Sequence, residues 1–270
     1  MHRLFTLLLL ALSGAAWADG GPVVVLDPGH GGPKTGAVST SGEREKEIAL
    51  EIARKLKAEL EKASVRVLLT RESDKDVELK ERIRLANDAG ADLFVSIHLN
   101  SMPKRYWNRV RGIETYFLSM EATGERAQQV AALENAEAGE QAAPTDDLAF
   151  ILNDLAQTQA HRDASRLAYT VHQQLIADLK ASDRGVHQAP FIVLMGAQMP
   201  AILAEVGFLS HSAEAKQLRE EAHQEKIAGS LARGIVTFLE KVGGRDHALE
   251  VKGEGGESEV DALTESPSAR

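Results

Sequence analysis

"VVVLDPGHGGPKTGAV", residues 23–38, starts as a run of four apolar residues and breaks at Asp27 into Pro28-Gly29-His30-Gly31-Gly32. A buried strand that ends in a glycine turn suits an open α/β sheet, where ligands gather at the carboxyl ends of the strands. Glycines after a strand also suit a phosphate cradle. Here Lys34-Thr35 follows Pro33 rather than a glycine, so the glycine-lysine-Ser/Thr pattern of a Walker loop is not met, and the one-three-six glycine spacing of a dinucleotide site is missing. Two readings remain: an incidental turn histidine, or His30 as a ligand whose glycine neighbours let another group come close. The second requires partners elsewhere.

Working outward, "VRVLLT" (65–70), "DLFVSIH" (92–98), "GIETYFL" (112–118), "FIVLM" (191–195) and "AILAEVGF" (201–208) join 23–27 as six expected strands. Amphipathic helices are expected between most of them, at 43–62, 77–90, 161–180 and 223–242. The alternation predicts an α/β fold, a twisted, mostly parallel six-stranded sheet covered by helices on both faces. Two segments stand outside it. Residues 119–160 are rich in Ala, Glu and Gln with few large apolar anchors, which reads as a helical insertion resting on a finished core. Residues 243–270 are rich in Gly, Ser and acids and are expected to form a disordered acidic tail. No internal repeat is seen.

The first eighteen residues have a basic start, an apolar run from Leu4 to Leu12 and the small-x-small triplet Ala16-Trp17-Ala18, a secretory signal peptide with the mature chain expected from Asp19. No later segment approaches the ~20 apolar residues of a membrane helix, so the mature protein is expected to be soluble. The sequence has 270 residues, 43% of them hydrophobic, enough for one sizeable core. It has no cysteine, which removes disulfides, a lipid-anchored cysteine and thiolate chemistry. A formal charge of −9 argues against nucleic acid and anionic membrane surfaces as partners.

Three partners for His30 emerge from the strand ends. His98 closes the third strand in "SIHLN", and Glu205 is an ionisable residue inside the apolar run "PAILAEVGFLS". Glu45 shares a helix face with Ile48, Ala49, Ile52 and Leu56, in the first turn and facing the sheet, where an acid favoured by the helix dipole still needs a partner. Two imidazoles and a carboxylate form the His₂Glu set of catalytic zinc, and a second carboxylate off the metal can move protons. Asn100 is placed to hydrogen-bond behind the ligands. Taken singly, each residue has a plainer explanation: a satisfied polar strand end, a helix-start acid, or for Glu205 an ion pair with Arg71 or Arg184. His161, His172, His211, His223 and His247 default to the surface, and His187 is ambiguous. Joint placement of the four separates them from these explanations.

Six motifs carry a family resemblance: "VVVLDPGHGGPKTGAV", "EREKEIAL", "LTRESD", "ADLFVSIHLNS", "GIETYFL" and "MPAILAEVGFLS". In order and spacing they resemble the catalytic domain of the zinc-dependent N-acetylmuramoyl-L-alanine amidases of bacterial cell separation, over residues 22–242. The resemblance implies Zn²⁺ on His30, Glu45 and His98, Glu205 as the catalytic carboxylate, and the lactyl–L-alanine amide of peptidoglycan as substrate. It implies a periplasmic enzyme of cell wall remodelling and daughter-cell separation. It also implies that the 119–160 insertion, where "AALENAEAGE" carries the likeness, covers the site until an activator protein displaces it; the residues alone admit an inert surface helix, or Glu134 and Glu137 as autoinhibitory ligands at an open zinc position. Two departures are His211 where many relatives have asparagine, and no separate N-terminal wall-targeting domain. The residues by themselves also admit a zinc carboxypeptidase-like peptidase, with Arg71, Arg82 or Arg184 clamping a terminal carboxylate. A non-catalytic peptidoglycan-binding module is disfavoured by the presence of all four site residues.

Overall fold

The computed structural model describes residues 20–138 and 155–253. In chain order the elements are β1 (Val23–Pro28), α1 (Glu45–Lys62), β2 (Arg66–Leu69), α2 (Leu79–Asp88), β3 (Leu93–Asn100), β4 (Ile113–Leu118), α3 (Glu125–Asn135), α4 (Leu155–Leu179), β5 (Asp183–Ala189), β6 (Ala201–Phe208), α5 (Ser212–Arg219) and α6 (Glu221–Gly253). The strands form one sheet in the order β2-β1-β3-β6-β4-β5. All neighbours are parallel except β4 and β6. That single reversal brings the amino ends of β4 and β5 to the same edge as the carboxyl ends of β1, β3 and β6.

Burial on both faces explains the unbroken apolar runs of β1, β3 and β6. On one face Val24, Leu26, Val95, Ile97, Ala204 and Val206 pack under α1, α4 and α6. On the other, Val25, Phe94, Tyr116 and Leu203 pack under α2 and α3. The expected inward face of α1 is buried in full: Glu45, Ile48, Ala49, Ile52 and Leu56.

Several expectations need correction. The run 191–195 is no strand; Ile192–Leu194 forms a 3₁₀ turn whose side chains are buried under the sheet. Short apolar runs cannot separate a buried strand from a buried turn by pattern alone. The sixth strand is instead β5, "DRGVHQA", an edge strand mostly half-exposed and polar, which is why no apolar run announces it. The short helix α5 was not expected either. Helix α6 continues to Gly253, past the start expected for a disordered tail at 243, where Ala248, Leu249, Glu250 and Lys252 are good helix formers. Residues 1–19, 139–154 and 254–270 lie outside the described residues, and with them the signal peptide, part of the insertion and the rest of the tail. His172 is buried rather than superficial, bonded to Thr115 Oγ1 at 3.0 Å and Asp183 Oδ1 at 2.8 Å.

A buried ion pair ties β1 to α2. Asp27 Oδ1 accepts from Arg82 Nη1 at 2.8 Å and Thr70 Oγ1 at 2.6 Å, and Oδ2 accepts from Ser96 Oγ at 2.8 Å. Burial alone would raise the Asp27 carboxyl, but Arg82 and the hydroxyl donors outweigh it and hold it below the ordinary value. A depressed folded value means that the group stabilises the fold above the unfolded pKa and loses that contribution as pH falls through the folded one. Asp27→Ala, which strands the Arg82 charge, should cost about 3–5 kcal/mol in urea unfolding at neutral pH. The deficit relative to wild type should shrink in acid as wild-type Asp27 takes up its proton.

Candidate metal centre

His30 sits just past β1 with φ of 60°, a left-handed backbone that turns its ring back across the sheet edge. Its neighbours answer why glycines surround it. A Cβ on Gly29 would stand 2.4 Å from the His98 ring, and one on Gly36 would stand 2.4 Å from the His30 ring and 2.5 Å from Glu45 Oε2. The glycines make room for side chains, not for a phosphate.

Glu45, in the first turn of α1, is fixed by backbone donors from the loop after β1 and from β3. Its Oε2 accepts from Ala37 N and its Oε1 from Leu99 N, both at 2.8 Å. The same Oε1 lies 2.9 Å from His30 Nε2 and 2.9 Å from His98 Nδ1. From α3, Glu134 Oε2 reaches to 3.0 Å from His98 Nδ1 and 3.4 Å from His30 Nε2. One donor atom from each of His30, Glu45, His98 and Glu134 lies within 4.8 Å of the others. Beside them Glu205, wholly buried and paired in register with His98, has no hydrogen bond to either oxygen; His30 Nε2 and Glu134 Oε2 are likewise without one. Orphaned buried polar atoms are costly. Two imidazole nitrogens and two carboxylate oxygens at this spacing fit a single divalent metal ion.

The protonation of the metal-free cluster points the same way. Burial pulls His30 down, but Glu45 and Glu137 push it up to about 10. His98 rises well above its usual value, because Glu134 and Glu45 outweigh its burial. Glu45 is lowered despite burial by the two histidines. Positive charge belongs between these carboxylates, and a metal supplies it in exchange for protons. Glu205 moves the opposite way, raised well above the carboxylate range by burial and then by Glu134.

Of the expected site residues, His30, Glu45 and His98 come together with Glu205 at their side. Glu134 joins the donor set. Glu137 does not; its Oε1 binds the far nitrogen, His30 Nδ1, at 2.5 Å. Asn100 stands apart from the histidines: Nδ2 donates to Glu114 Oε2 and Oδ1 accepts from Arg126 Nη2, both at 2.7 Å. Neither arginine suggested for Glu205 reaches it. Arg71 donates to the carbonyls of Pro28, Gly29 and Lys46, and Arg184 to Glu114. Glu114 is a further buried acid of the site, and its place in the apolar run "GIETYFL" is the same signal that singles out Glu205.

Fold and donor set define a class, α/β proteins that gather histidine and carboxylate metal donors at the ends of parallel strands. Residues 24–237 match the model of the family described as N-acetylmuramoyl-L-alanine amidase. The N-acetylmuramoyl-L-alanine amidase AmiA of Escherichia coli K12 is 33% identical over 227 residues, 82% of this chain and 78% of that protein. Among solved structures, an N-acetylmuramoyl-L-alanine amidase from Clostridium difficile 630 superposes with a TM-score of 0.63 at 30% identity, covering 82% of this chain and 98% of the other. The CwlD amidase of Clostridioides difficile, solved in complex with the GerS lipoprotein, superposes with a TM-score of 0.61 at 26% identity, covering 81% and 98%. The chain belongs to the N-acetylmuramoyl-L-alanine amidase family. It is a peptidoglycan amidase of the cell wall.

Removing one imidazole tests the cluster as a metal site: His98→Ala or His30→Ala should reduce metal content from stoichiometric to a small fraction after dialysis against a limiting divalent ion. The far-ultraviolet dichroism should stay that of wild type, since each ring sits at the sheet edge rather than in the core.

Proposed function

We propose that His30, Glu45 and His98 hold Zn²⁺, that Glu205 moves the protons of lactyl–L-alanine amide hydrolysis, and that α3 holds the enzyme shut. The observation that carries the catalytic part is the buried Glu205 carboxylate, beside His98 with both oxygens unpaired. When bound, zinc supplies a Lewis acid that polarises a carbonyl oxygen and makes a water more acidic. Glu205 takes the proton of the attacking water at a carboxylate oxygen and delivers it to the departing amine of L-alanine. Burial and the neighbouring acids raise this carboxyl above its ordinary value, so it holds the proton more firmly until the amine departs. Glu45, anchored by Ala37 N and Leu99 N, keeps the two imidazoles in place.

The autoinhibition reading rests on Glu134. Catalytic zinc keeps one position open, whereas four protein donors close the set. Glu134 is the fourth donor, and it comes from α3, which buries only Ala127, Val130 and Ala131 and leaves Leu133 58% exposed. So small an apolar footing makes α3 separable from the sheet. Suppressing activity about a hundredfold needs only ~2–3 kcal/mol in favour of the closed state, which a partner protein binding α3 can overcome. The solved CwlD–GerS complex is a precedent for a protein partner on an amidase of this fold. An exported, periplasmic protein of cell separation fits the N-terminal leader, and no helix among the described residues is long and apolar enough to cross a membrane.

Two variants test the two halves. Glu205→Gln keeps shape but cannot accept a proton, so zinc should stay near stoichiometric while turnover falls by roughly 10²–10⁴; near wild-type turnover would remove Glu205 from the mechanism. Glu134→Gln should raise dye release from labelled sacculi at least about tenfold at matched zinc occupancy, in line with a closed state favoured by ~1.4 kcal/mol or more. An unchanged rate would leave α3 as an ornament.

A further inference from the structure

Four side chains stand in one row across the sheet edge, from four neighbouring strands. His98 on β3 is opposite Glu205 on β6, and Glu205 is opposite Glu114 on β4. At the start of β5, Arg184 donates Nε to Glu114 Oε1 at 2.7 Å. The outer two have no part in the mechanism so far. Glu114 is wholly buried and fully engaged: besides Arg184, its Oε2 accepts from Asn100 Nδ2 at 2.7 Å and Tyr116 Oη at 2.8 Å. A carboxylate so enclosed is an anchor, and what it anchors is a guanidinium. Arg184 uses only Nε for it; Nη1 and Nη2 make no hydrogen bond among the described residues, and the side chain is 29% exposed.

What surrounds Arg184 gives the direction. Its guanidinium carbon lies 5.4 Å from the Phe208 ring centroid, and that of Arg126, from α3, lies 5.9 Å from the same centroid. Arg126 Nη2 is 3.9 Å from Glu114 Oε2, and Arg126 Nε is buried without a partner. Two guanidiniums therefore share the Glu114 carboxylate, and Glu214, whose oxygens accept from Gly112 N and Phe208 N, is the further acid that Arg184 acts on. When α3 leaves, as the reading above requires, Arg126 leaves with Glu134 and the place beside Arg184 opens.

Distance then selects the ligand. Strands lie ~4.8 Å apart, so β5 stands ~10 Å from the strand of Glu205. Consecutive Cα atoms are ~3.8 Å apart, which puts a carboxylate on the second residue of an extended peptide roughly 7–8 Å from the nitrogen of the first. The reach of an arginine side chain covers the difference. We propose that Arg184, positioned by Glu114, receives a carboxylate on the residue that follows L-alanine in the stem peptide. The paired Nη groups bind it as a fork, and the enzyme thereby favours stem peptides whose acid at that place is free over those in which it is a carboxamide. This inference rests on the amidase reading of the same site.

The test is a pair of synthetic muramoyl dipeptides, L-alanine followed by an acidic residue whose α-carboxyl is free or amidated, given to the full zinc-loaded chain. Wild type should cut the free acid with kcat/KM about tenfold higher, mostly through KM. In Arg184→Gln the acid-to-amide ratio should fall to about one, and Arg184→Lys, which keeps a charge against Glu114 without the fork, should fall between. The ratio is internal to each protein, so a loss of folded material cannot imitate it. Equal cleavage of the two substrates by wild type, or a ratio unchanged in Arg184→Gln, overturns the inference and leaves the amidase reading standing. Cleavage of neither substrate by wild type or by Glu134→Gln, the variant expected to open the site, overturns both.

Discussion

Arg71 and Arg82 are both almost wholly buried, and both aim at the backbone where β1 ends. Arg71 donates to the carbonyls of Pro28 and Gly29, and Arg82 to those of Pro28 and His30. These three successive carbonyls, at the last residue of β1 and just past it, would be costly to bury without donors. The guanidinium forks satisfy them in one conformation, which holds His30 at its left-handed φ and sets the direction of its ring. Asp27 balances Arg82 directly, while Arg71 hydrogen-bonds only to carbonyls, and burial and the neighbouring Arg82 charge outweigh Asp27 and Asp74 and draw it down to about 10. Arg71 Nη2 also bonds Lys46 O, joining the loop to the first turn of α1 that carries Glu45. Two donors of the candidate metal centre, His30 and Glu45, are thus placed by one buried polar network.

The third donor is placed by the sheet itself. His98 is held by the parallel pairing of β3 with β1 and β6, and its ring meets the His30 ring edge to face at 4.8 Å between centroids. The fourth comes from a different kind of structure. Glu134 is carried by a helix with a small apolar footing, tied at its end by Asn135 to Pro190 O and Ile192 N. Rigid elements supply three of the donors, and a helix with a small apolar footing supplies the fourth. The 3₁₀ turn at Ile192–Leu194, where the apolar pattern suggested a strand, is what receives the end of α3.

Much of this was legible from residue pattern. The alternation of apolar runs with amphipathic helices gave the α/β class, and the face of α1 from Glu45 to Leu56 followed from helical periodicity. His30, His98 and Glu205 stood out because each is a polar residue at or in an apolar strand. The failures have physical causes. β5 packs as a half-exposed edge, so it carries no apolar run, and the buried 192–194 turn carries one without pairing. His172 is buried because Thr115 and Asp183 satisfy both its nitrogens, a pairing across 57 residues on one side that no local pattern reveals.

The sequence by itself determined which chemical groups are present and which face of each element they occupy, because strand and helix periods are local properties of the chain. Only the tertiary structure decided which of those groups meet. Strand order put His98, Glu205, Glu114 and Arg184 in one row, and the reversal of β4 and β5 turned the last two toward the edge where the first two end. It also divided two similar acids of one helical segment, Glu134 into the donor set and Glu137 onto the far nitrogen of His30. Such divisions depend on separations of a few ångströms between elements distant in the chain, and those are fixed by packing rather than by spacing along the sequence.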